Sequence, residues 1–225
     1  LGLLPGADPE VADEVIIFSA HYDHVGDDPA GWRCPPGTSA WDAARNALCT
    51  PVEGARYPGA NDNASGVAVM LEIARLWQER GYRPGRSVLL AAWGAHEPGQ
   101  HGLAYYLDHP AFPLQDTYAV LHLDAVGGGD GYYLGAQGSR AAEGMLRAAL
   151  QAAEEELDGR LTLMSPPKRD DPGAALRQAG LSTLWLTWRA SSEAHWPVQY
   201  ADVVEPYRLE VTGKMATLGL MILAR

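Results

Sequence analysis

Four short, continuous apolar runs separated by amphipathic stretches are the feature that most limits what this chain can fold into. The runs are Val15–Ala20, Ser87–Trp93, Ala119–Val126 and Thr183–Trp188. A strand that is apolar at every position must be covered on both faces, so such runs favour central strands between two layers of helices. The alternation therefore predicts an α/β fold, with a mostly parallel, mixed central sheet and helices on both faces.

The helices of this fold are placed by the spacing of apolar residues. Ser65–Arg80 has an apolar stripe and is followed by Gly81, a residue typical of the position just after a helix. Ala141–Leu157 and Leu209–Leu223 have similar patterns. The first stripe predicts these buried residues: Val67, Met70, Leu71, Ala74 and Trp77.

The length and the linker pattern predict a single domain. The chain has 225 residues and no stretch rich enough in Pro, Gly or Ser to divide it, so we expect one domain over residues 1–225. Residues 26–59 are read as an irregular insertion, which is often functional or a decoration of the fold. The opening LGLLPG predicts the end of a strand and a turn, and we interpret the start at Leu1 as a truncation or a processed end.

The charge of the chain argues against two classes of partner. With 17 Lys+Arg against 28 Asp+Glu, the net charge is −11, which argues against nucleic acid or an anionic membrane as the main partner. We expect no membrane span, because no apolar run approaches the roughly 20 residues that a bilayer-crossing helix needs.

Two cysteines bear on the compartment. Cys34 and Cys49 lie in the insertion and do not have the spacing of a CxxC metal pair. A disulfide that closes this loop is the favoured interpretation, and two free thiols are the alternative. On the first interpretation we expect an extracytoplasmic or secreted protein.

Residues of the metal-ligand type lie at the ends of all four predicted strands. His21 and Asp23 come directly after the first run and Glu97 follows the second. Asp124 ends the third run, and His195 comes shortly after the fourth. Each residue alone is more often a turn or cap residue. Because the carboxyl ends of parallel strands meet at one edge of a sheet, four such coincidences predict a shared site there.

Asp62 adds a further carboxylate to this predicted site. It lies in GANDNASG just before the first helix, where it either caps the helix or supplies a carboxylate to the centre of the site. The two oxygens of a carboxylate can bridge cations about 3.5–4 Å apart. A set of imidazoles and carboxylates without thiolates suits Zn²⁺ with open coordination positions.

The order of these motifs resembles the M28 family of zinc aminopeptidases. The matching segments are HYDH, GANDNASG, WGAHEPGQHG, LDAVG and a late His followed by Asp202, and they extend from about Leu4 to the C-terminus. The resemblance implies the fold of the zinc-dependent exopeptidases, also described as phosphorylase/hydrolase-like. It implies two zinc ions per chain and a peptide substrate with a free N-terminus. The implied ligands, with Asp62 shared by both ions, are His21, Asp62, Glu97, Asp124 and His195.

Two further features follow from the same resemblance. Asp23 matches the carboxylate that orients the histidine ligand, which is a known way to fix the ring and its tautomer. The family also commonly has a cis peptide bond after the shared aspartate, so the bond between Asp62 and Asn63 is a candidate.

One departure from the family pattern affects the expected activity. Two consecutive glutamates follow WGA in the family, the first acting as general base, whereas this chain has His96 and then Glu97. A neutral imidazole can accept a proton near neutral pH, but two nearby cations disfavour the imidazolium that forms. Loss of a well-placed base costs about 10²–10⁴-fold in rate. We therefore expect an aminopeptidase with weakened or altered activity.

Three functions remain open at this point. The first is metal-assisted hydrolysis of N-terminal residues from peptides. The second is an impaired relative that keeps the fold and the metals but binds a peptide or protein partner. The third is a single-zinc enzyme similar to glutaminyl cyclases, against which the complete ligand set, including His21, argues.

Several other residues near the predicted site have simpler interpretations. His122 lies two positions before Asp124 and is predicted to be a hydrogen-bonded core histidine. His24 is predicted to be a loop or helix-end residue that is close enough to the site to lie beside the ligands. Trp93 is predicted to belong to the core. Trp188 and Trp196 are candidates for the walls of an apolar side-chain pocket.

Overall fold

The computed structural model describes residues 1–28, 41–42, 47–48, 55–129, 134–138, 161–163, 173–188 and 201–225. Its strands are β1 (Gly2–Leu4), β2 (Val15–His21), β3 (Gly26–Asp28), β4 (Trp41–Asp42), β5 (Ala47–Leu48), β6 (Ala55–Tyr57), β7 (Ser87–Trp93), β8 (Thr117–Leu123), β9 (Leu134–Gly138), β10 (Leu161–Leu163) and β11 (Thr183–Trp188). Its α-helices are α1 (Ser65–Glu79), α2 (His101–Asp108), α3 (Ala174–Gln178) and α4 (Pro206–Leu223).

Seven of the strands form one mixed sheet. Their order is β1-β7-β2-β8-β11-β9-β10, so that β2 lies between β7 and β8 and is parallel to both. β11 is parallel to β8, while β1 and β9 pair antiparallel to their neighbours β7 and β11. The predicted mostly parallel, mixed sheet is confirmed, and the predicted strand at the start of the chain is its antiparallel edge.

Helices cover both faces of the sheet, as the sequence predicts. Successive residues of a strand point to opposite faces, so Ile16 and Phe18 of β2 pack on the side of α1 and α4. Val15 and Ile17 pack on the other side, with residues of α2 and α3. All four side chains are fully buried.

The buried face of α1 differs in part from the predicted one. Leu71 is 57% exposed, so its predicted place in the core is wrong, whereas Ile73 is buried. Met70, Ile73 and Trp77 recur at intervals of three and four residues, which is the period of a helix that packs on one side. Gly81 has a φ of +62° and lies just past the helix, where its predicted role in ending it is confirmed.

The insertion contains two short antiparallel ribbons. β3 pairs with β6 where the insertion leaves and rejoins the rest of the chain, and β4 pairs with β5 further out. Cys34, Cys49 and the predicted helix at Ala141–Leu157 lie outside the described residues. In the part of the chain that the structure covers, no helix has both the length and the apolar character that crossing a membrane requires.

Candidate metal centre

The first half of the site forms where two parallel strands and one turn end together. His21 is the last residue of β2, Asp124 directly follows β8, and Asp62 lies in the turn before α1. Nε2 of His21 lies 3.1 Å from Oδ1 of Asp62 and 3.3 Å from Oδ1 of Asp124. The three side chains are 1%, 9% and 13% exposed, so the structure brings together three of the predicted residues in a largely buried place.

The His21 ring is held so that Nε2 faces the two carboxylates. Nδ1 donates a hydrogen bond of 2.9 Å to the main-chain oxygen of Asp23. A carbonyl oxygen only accepts, so Nδ1 carries the proton and Nε2 of the neutral ring presents a lone pair to Asp62 and Asp124. Three electron-rich groups at this separation require a proton or a cation between them. The donor set therefore fits a metal ion, and neutral imidazole with carboxylates is chemistry that zinc accepts.

The pKa values of these groups without a metal also indicate a site for a positive charge. Burial lowers the pKa of His21, but hydrogen bonds and charge from Asp124 and Asp62 outweigh burial and raise it to about 11. Burial and the nearby charge of Asp124 raise the pKa of Asp62. Burial would also raise the pKa of Asp124, but the contact with His21 and the neighbouring imidazoles lower it to about 2. The pocket thus favours a bound positive charge.

A second group of ligand-type atoms shares Asp62 with the first. Nδ1 of His24 lies 3.0 Å from Oε1 of Glu97, and their side chains are 4% and 9% exposed. Within each group, one ligand atom from every residue lies within 4.8 Å of the others: His21, Asp62 and Asp124 in the first and His24, Asp62 and Glu97 in the second. The sequence predicted Glu97 here and placed His24 only beside the ligands. His195 lies outside the described residues.

The carboxylate of Asp23 acts on the segment that carries Glu97 rather than on the His21 ring. Its carboxylate accepts hydrogen bonds from the main-chain N–H groups of His96 at 2.9 Å and Glu97 at 3.2 Å. The prediction that this carboxylate orients the histidine ligand therefore differs from the structure, where the main-chain oxygen of Asp23 makes that contact. One residue thus fixes both the His21 ring and the segment that carries His96 and Glu97.

The turn that carries Asp62 is tied to the end of β8. The bond between Asp62 and Asn63 is cis, as the family resemblance predicts. Nδ2 of Asn63 donates to the main-chain oxygen of Leu123 at 2.8 Å, and its Oδ1 accepts from the main-chain N–H of Ala125 at 3.2 Å. Because Asp124 lies between those two residues, Asn63 sets the distance between the two carboxylates. Sequence reasoning missed this role, for which the only signal was the Asn beside Asp62.

His96 packs face to face on His21. The two ring centroids are 4.0 Å apart and the rings are nearly parallel, at 7°. Burial, followed by the charge of His21, lowers the pKa of His96. Its Nδ1 is enclosed by protein and has no hydrogen-bond partner among the described residues.

The remaining predictions near the site have mixed outcomes. His122 is a core histidine whose Nδ1 lies 2.9 Å from Oγ of Ser19, and burial lowers its pKa to about 3. Its Nε2, however, is buried and has no hydrogen-bond partner among the described residues, so only one of the two ring nitrogens is hydrogen-bonded as predicted. Trp93 is buried as predicted. Trp188 packs in the core beneath α4 and donates to Oγ1 of Thr212, so its proposed place in a pocket wall is wrong; Trp196 lies outside the described residues.

Comparison with known proteins places these features in a family. The model of peptidase family M28 matches residues 1–216. Aminopeptidase YwaD of Bacillus subtilis is 39% identical over 71 residues, which are 31% of this chain and 15% of that protein. A probable zinc metalloprotease of Pyricularia oryzae is 29% identical over 119 residues, which are 53% of this chain and 19% of that protein. The matched segments therefore cover less than a fifth of these curated relatives.

Solved structures share the fold at low sequence identity. An aminopeptidase from Aneurinibacillus sp. strain AM-1 superposes with a TM-score of 0.73 and 22% identity, over 98% of this chain and 46% of its own. The zinc aminopeptidase BSAP of Bacillus subtilis superposes with a TM-score of 0.71 and 21% identity, over 97% of this chain and 48% of its own. A glutaminyl cyclase of Bacteroides thetaiotaomicron superposes with a TM-score of 0.70 and 19% identity, over 95% of this chain and 75% of its own. The chain thus spans about half the length of the two aminopeptidases and has the fold that all three share.

Proposed function

The chain belongs to peptidase family M28, and from this premise we propose that it is a zinc-dependent aminopeptidase that removes N-terminal residues from peptides. The observation that carries the proposal is the pair of buried ligand groups that share Asp62. A carboxylate shared by two sets of donors can hold two cations about 3.5–4 Å apart, which is the spacing of two-metal hydrolytic sites. The proposed count is two zinc ions per chain.

The proposed ligands follow from the geometry. His21, Asp62 and Asp124 would hold one zinc ion, and Asp62 with Glu97 would hold the other, together with His195 from the sequence prediction. Zinc bound in such a site lowers the pKa of a water molecule and polarises a substrate carbonyl. The net charge of −11 favours approach of a cationic amino terminus.

His96 is the proposed proton carrier. Its Nε2 would accept a proton from the attacking water and return it to the nitrogen of the leaving amine. The lowered pKa of His96 keeps the ring neutral at pH 7 but also makes it a weaker base. Asp23 would keep His96 in place through its main-chain N–H. The proposed activity is therefore lower than, or different from, that of a relative with glutamate at this position.

A catalytically impaired protein that binds metal and a peptide or protein partner is the second candidate. The observation that favours it is the stacking of His96 on His21 at 4.0 Å, because that contact restrains the ring that must carry the proton. A function similar to that of glutaminyl cyclases is the less favoured candidate, since a single-zinc enzyme has no need of two ligand groups, and here the first group is completed by His21.

Peptides with free and blocked N-termini separate these functions. The zinc-loaded protein is assayed on amino-acid p-nitroanilides, on short peptides, and on the same peptides after N-acetylation. We expect cleavage of free N-termini alone, its loss on chelation and its return with zinc. Binding of two zinc ions without cleavage would support the impaired protein, and cyclisation of N-terminal glutamine would support the cyclase. Cleavage that persists after complete chelation would refute the metal-dependent mechanism.

A further inference from the structure

We infer that His24 is a ligand of the second zinc ion, an inference that rests on the two-zinc site proposed above. The family resemblance assigns the imidazole of that position to His195 and gives no role to His24. In the structure, Nδ1 of His24 joins the carboxylates of Asp62 and Glu97 in one group of ligand atoms. The position of His24 relative to Glu97 is the first observation that supports the inference.

The spacing of these atoms is that of neighbouring ligands on one ion. Zinc–nitrogen and zinc–oxygen bonds of about 2.0–2.1 Å place two ligand atoms of a tetrahedral ion about 3.3 Å apart. The His24–Glu97 separation is 3.0 Å, close to the 3.1 Å and 3.3 Å found around His21. The two halves of the site are therefore built alike, each with one imidazole nitrogen beside two carboxylates.

Close packing holds the His24 ring in this place. A Cβ atom on Gly59 would lie 2.6 Å from Cβ of His24, so only glycine leaves room for the ring there. The ring also meets Tyr57 edge-on, with centroids 6.5 Å apart. The side chain is 4% exposed, which is typical of a ligand fixed in advance rather than of a surface histidine.

The insertion explains how this chain fixes the ring. His24 lies two residues before β3 begins, and Gly59 lies two residues after β6 ends. Because β3 and β6 pair antiparallel, the ribbon brings His24 and Gly59 together beside Asp62. A ligand from this ribbon would add to the donors at the second ion and leave fewer open positions there than at the first.

Two substitutions distinguish a ligand from a residue that only orients Glu97. In His24→Asn, the amide can still donate a hydrogen bond to Glu97 from a place near Nδ1, but it is a poor zinc ligand. His24→Ala removes both functions. His109→Asn is the matched control, because His109 is an exposed histidine at the end of α2.

Zinc titration of the metal-free proteins by calorimetry, with mass spectrometry of the intact loaded chain, gives the readout. We expect two zinc ions on the wild type and on His109→Asn. Loss of an orienting residue lowers metal affinity about 10–100-fold, so we expect both His24 variants to lose more than about 100-fold at one ion and little at the other. X-ray absorption of the wild type needs no variant to fold. With His21, His24 and the proposed ligand His195 on two ions, it is expected to show about 1.5 imidazoles per zinc, rather than about 1.0 without His24.

The outcomes separate this inference from the proposed function. If the wild type binds two ions and His24→Asn binds both as tightly, His24 only orients Glu97 and the inference is overturned while the proposed function stands. The same holds if X-ray absorption shows as many imidazoles per zinc in His24→Asn as in the wild type. If the wild type binds fewer than two ions, both the two-zinc site and the role of His24 fail.

Discussion

Replacing His96 by glutamate is expected to raise the activity of this protein. Asp23 holds the main-chain N–H of residue 96 at 2.9 Å, a contact that does not depend on the side chain, so the new carboxylate would start from the same backbone position. A well-placed general base is worth about 10²–10⁴-fold in rate. Because the imidazole of His96 keeps part of that function with a lowered pKa, we expect a gain of at least about tenfold, or about 1.4 kcal/mol in the barrier.

The same substitution is expected to cost stability when zinc is absent. It removes the stack of His96 on His21, which is worth about 0.5–1.5 kcal/mol. It also adds a negative charge near three carboxylates, those of Asp124, Glu97 and Asp23, against the one positive charge of His21. Bound zinc compensates the added charge. The thermal midpoint should therefore fall in the metal-free protein and change much less in the loaded one.

The assay compares kcat for an amino-acid p-nitroanilide among the wild type, His96→Glu and His96→Gln, each with its zinc content measured. Glutamine has a shape similar to that of glutamate but cannot accept the proton, so His96→Gln should be no faster than the wild type. If His96→Glu carries the same zinc and is no faster than the wild type, the reasoning that residue 96 is a degraded base is refuted.

Three further results are expected. Asp23→Ala should weaken zinc binding about 10–100-fold at the ion near Glu97. Binding of the ion at His21 should change little, because His21 is held by the main-chain oxygen of residue 23. Equal losses of affinity at both ions in calorimetry would contradict this. Ile73→Ala should lower the free energy of unfolding in urea by about 2–5 kcal/mol, whereas Leu71→Ala, at an exposed position, should change it by no more than about 0.5 kcal/mol; similar losses would disprove the buried face of α1. In the metal-free protein the raised pKa of His21 stabilises the fold fully below pH 6.5, and this contribution is lost as pH rises towards about 11. The stability difference between wild type and His21→Gln should shrink over that range, and a constant difference would contradict the assignment.

The sheet was predictable from sequence because its strands are buried on both faces. Ser87–Trp93 and Thr183–Trp188 have the predicted bounds, since continuous apolar runs have few other stable places. The bounds predicted for the third strand, Ala119–Val126, are wrong at both ends. The strand begins at Thr117 and stops at Leu123. At that end the Asn63 side chain donates to the main-chain oxygen of Leu123 and accepts from the main-chain N–H of Ala125, so it replaces strand pairing on either side of Asp124.

The ligand-type residues were predictable, but their partners were not. Strand ends and the family pattern indicated His21, Asp62, Glu97 and Asp124, and the structure places them in two groups that share Asp62. The role of Asp23 and the approach of His24 depend on loop conformation and on the ribbon of the insertion, which have no periodic signal in the sequence. The error at Leu71 has a similar origin, because a helix that is apolar over much of its surface does not reveal which side packs.

A crystal structure of the protein grown with zinc tests the central claim most directly. Anomalous difference maps at the zinc edge should show two peaks about 3.5–4 Å apart. We expect Asp62 to contact both ions, and His21 with Asp124 to contact one of them. A single peak, or two peaks of which only one touches Asp62, would contradict the account.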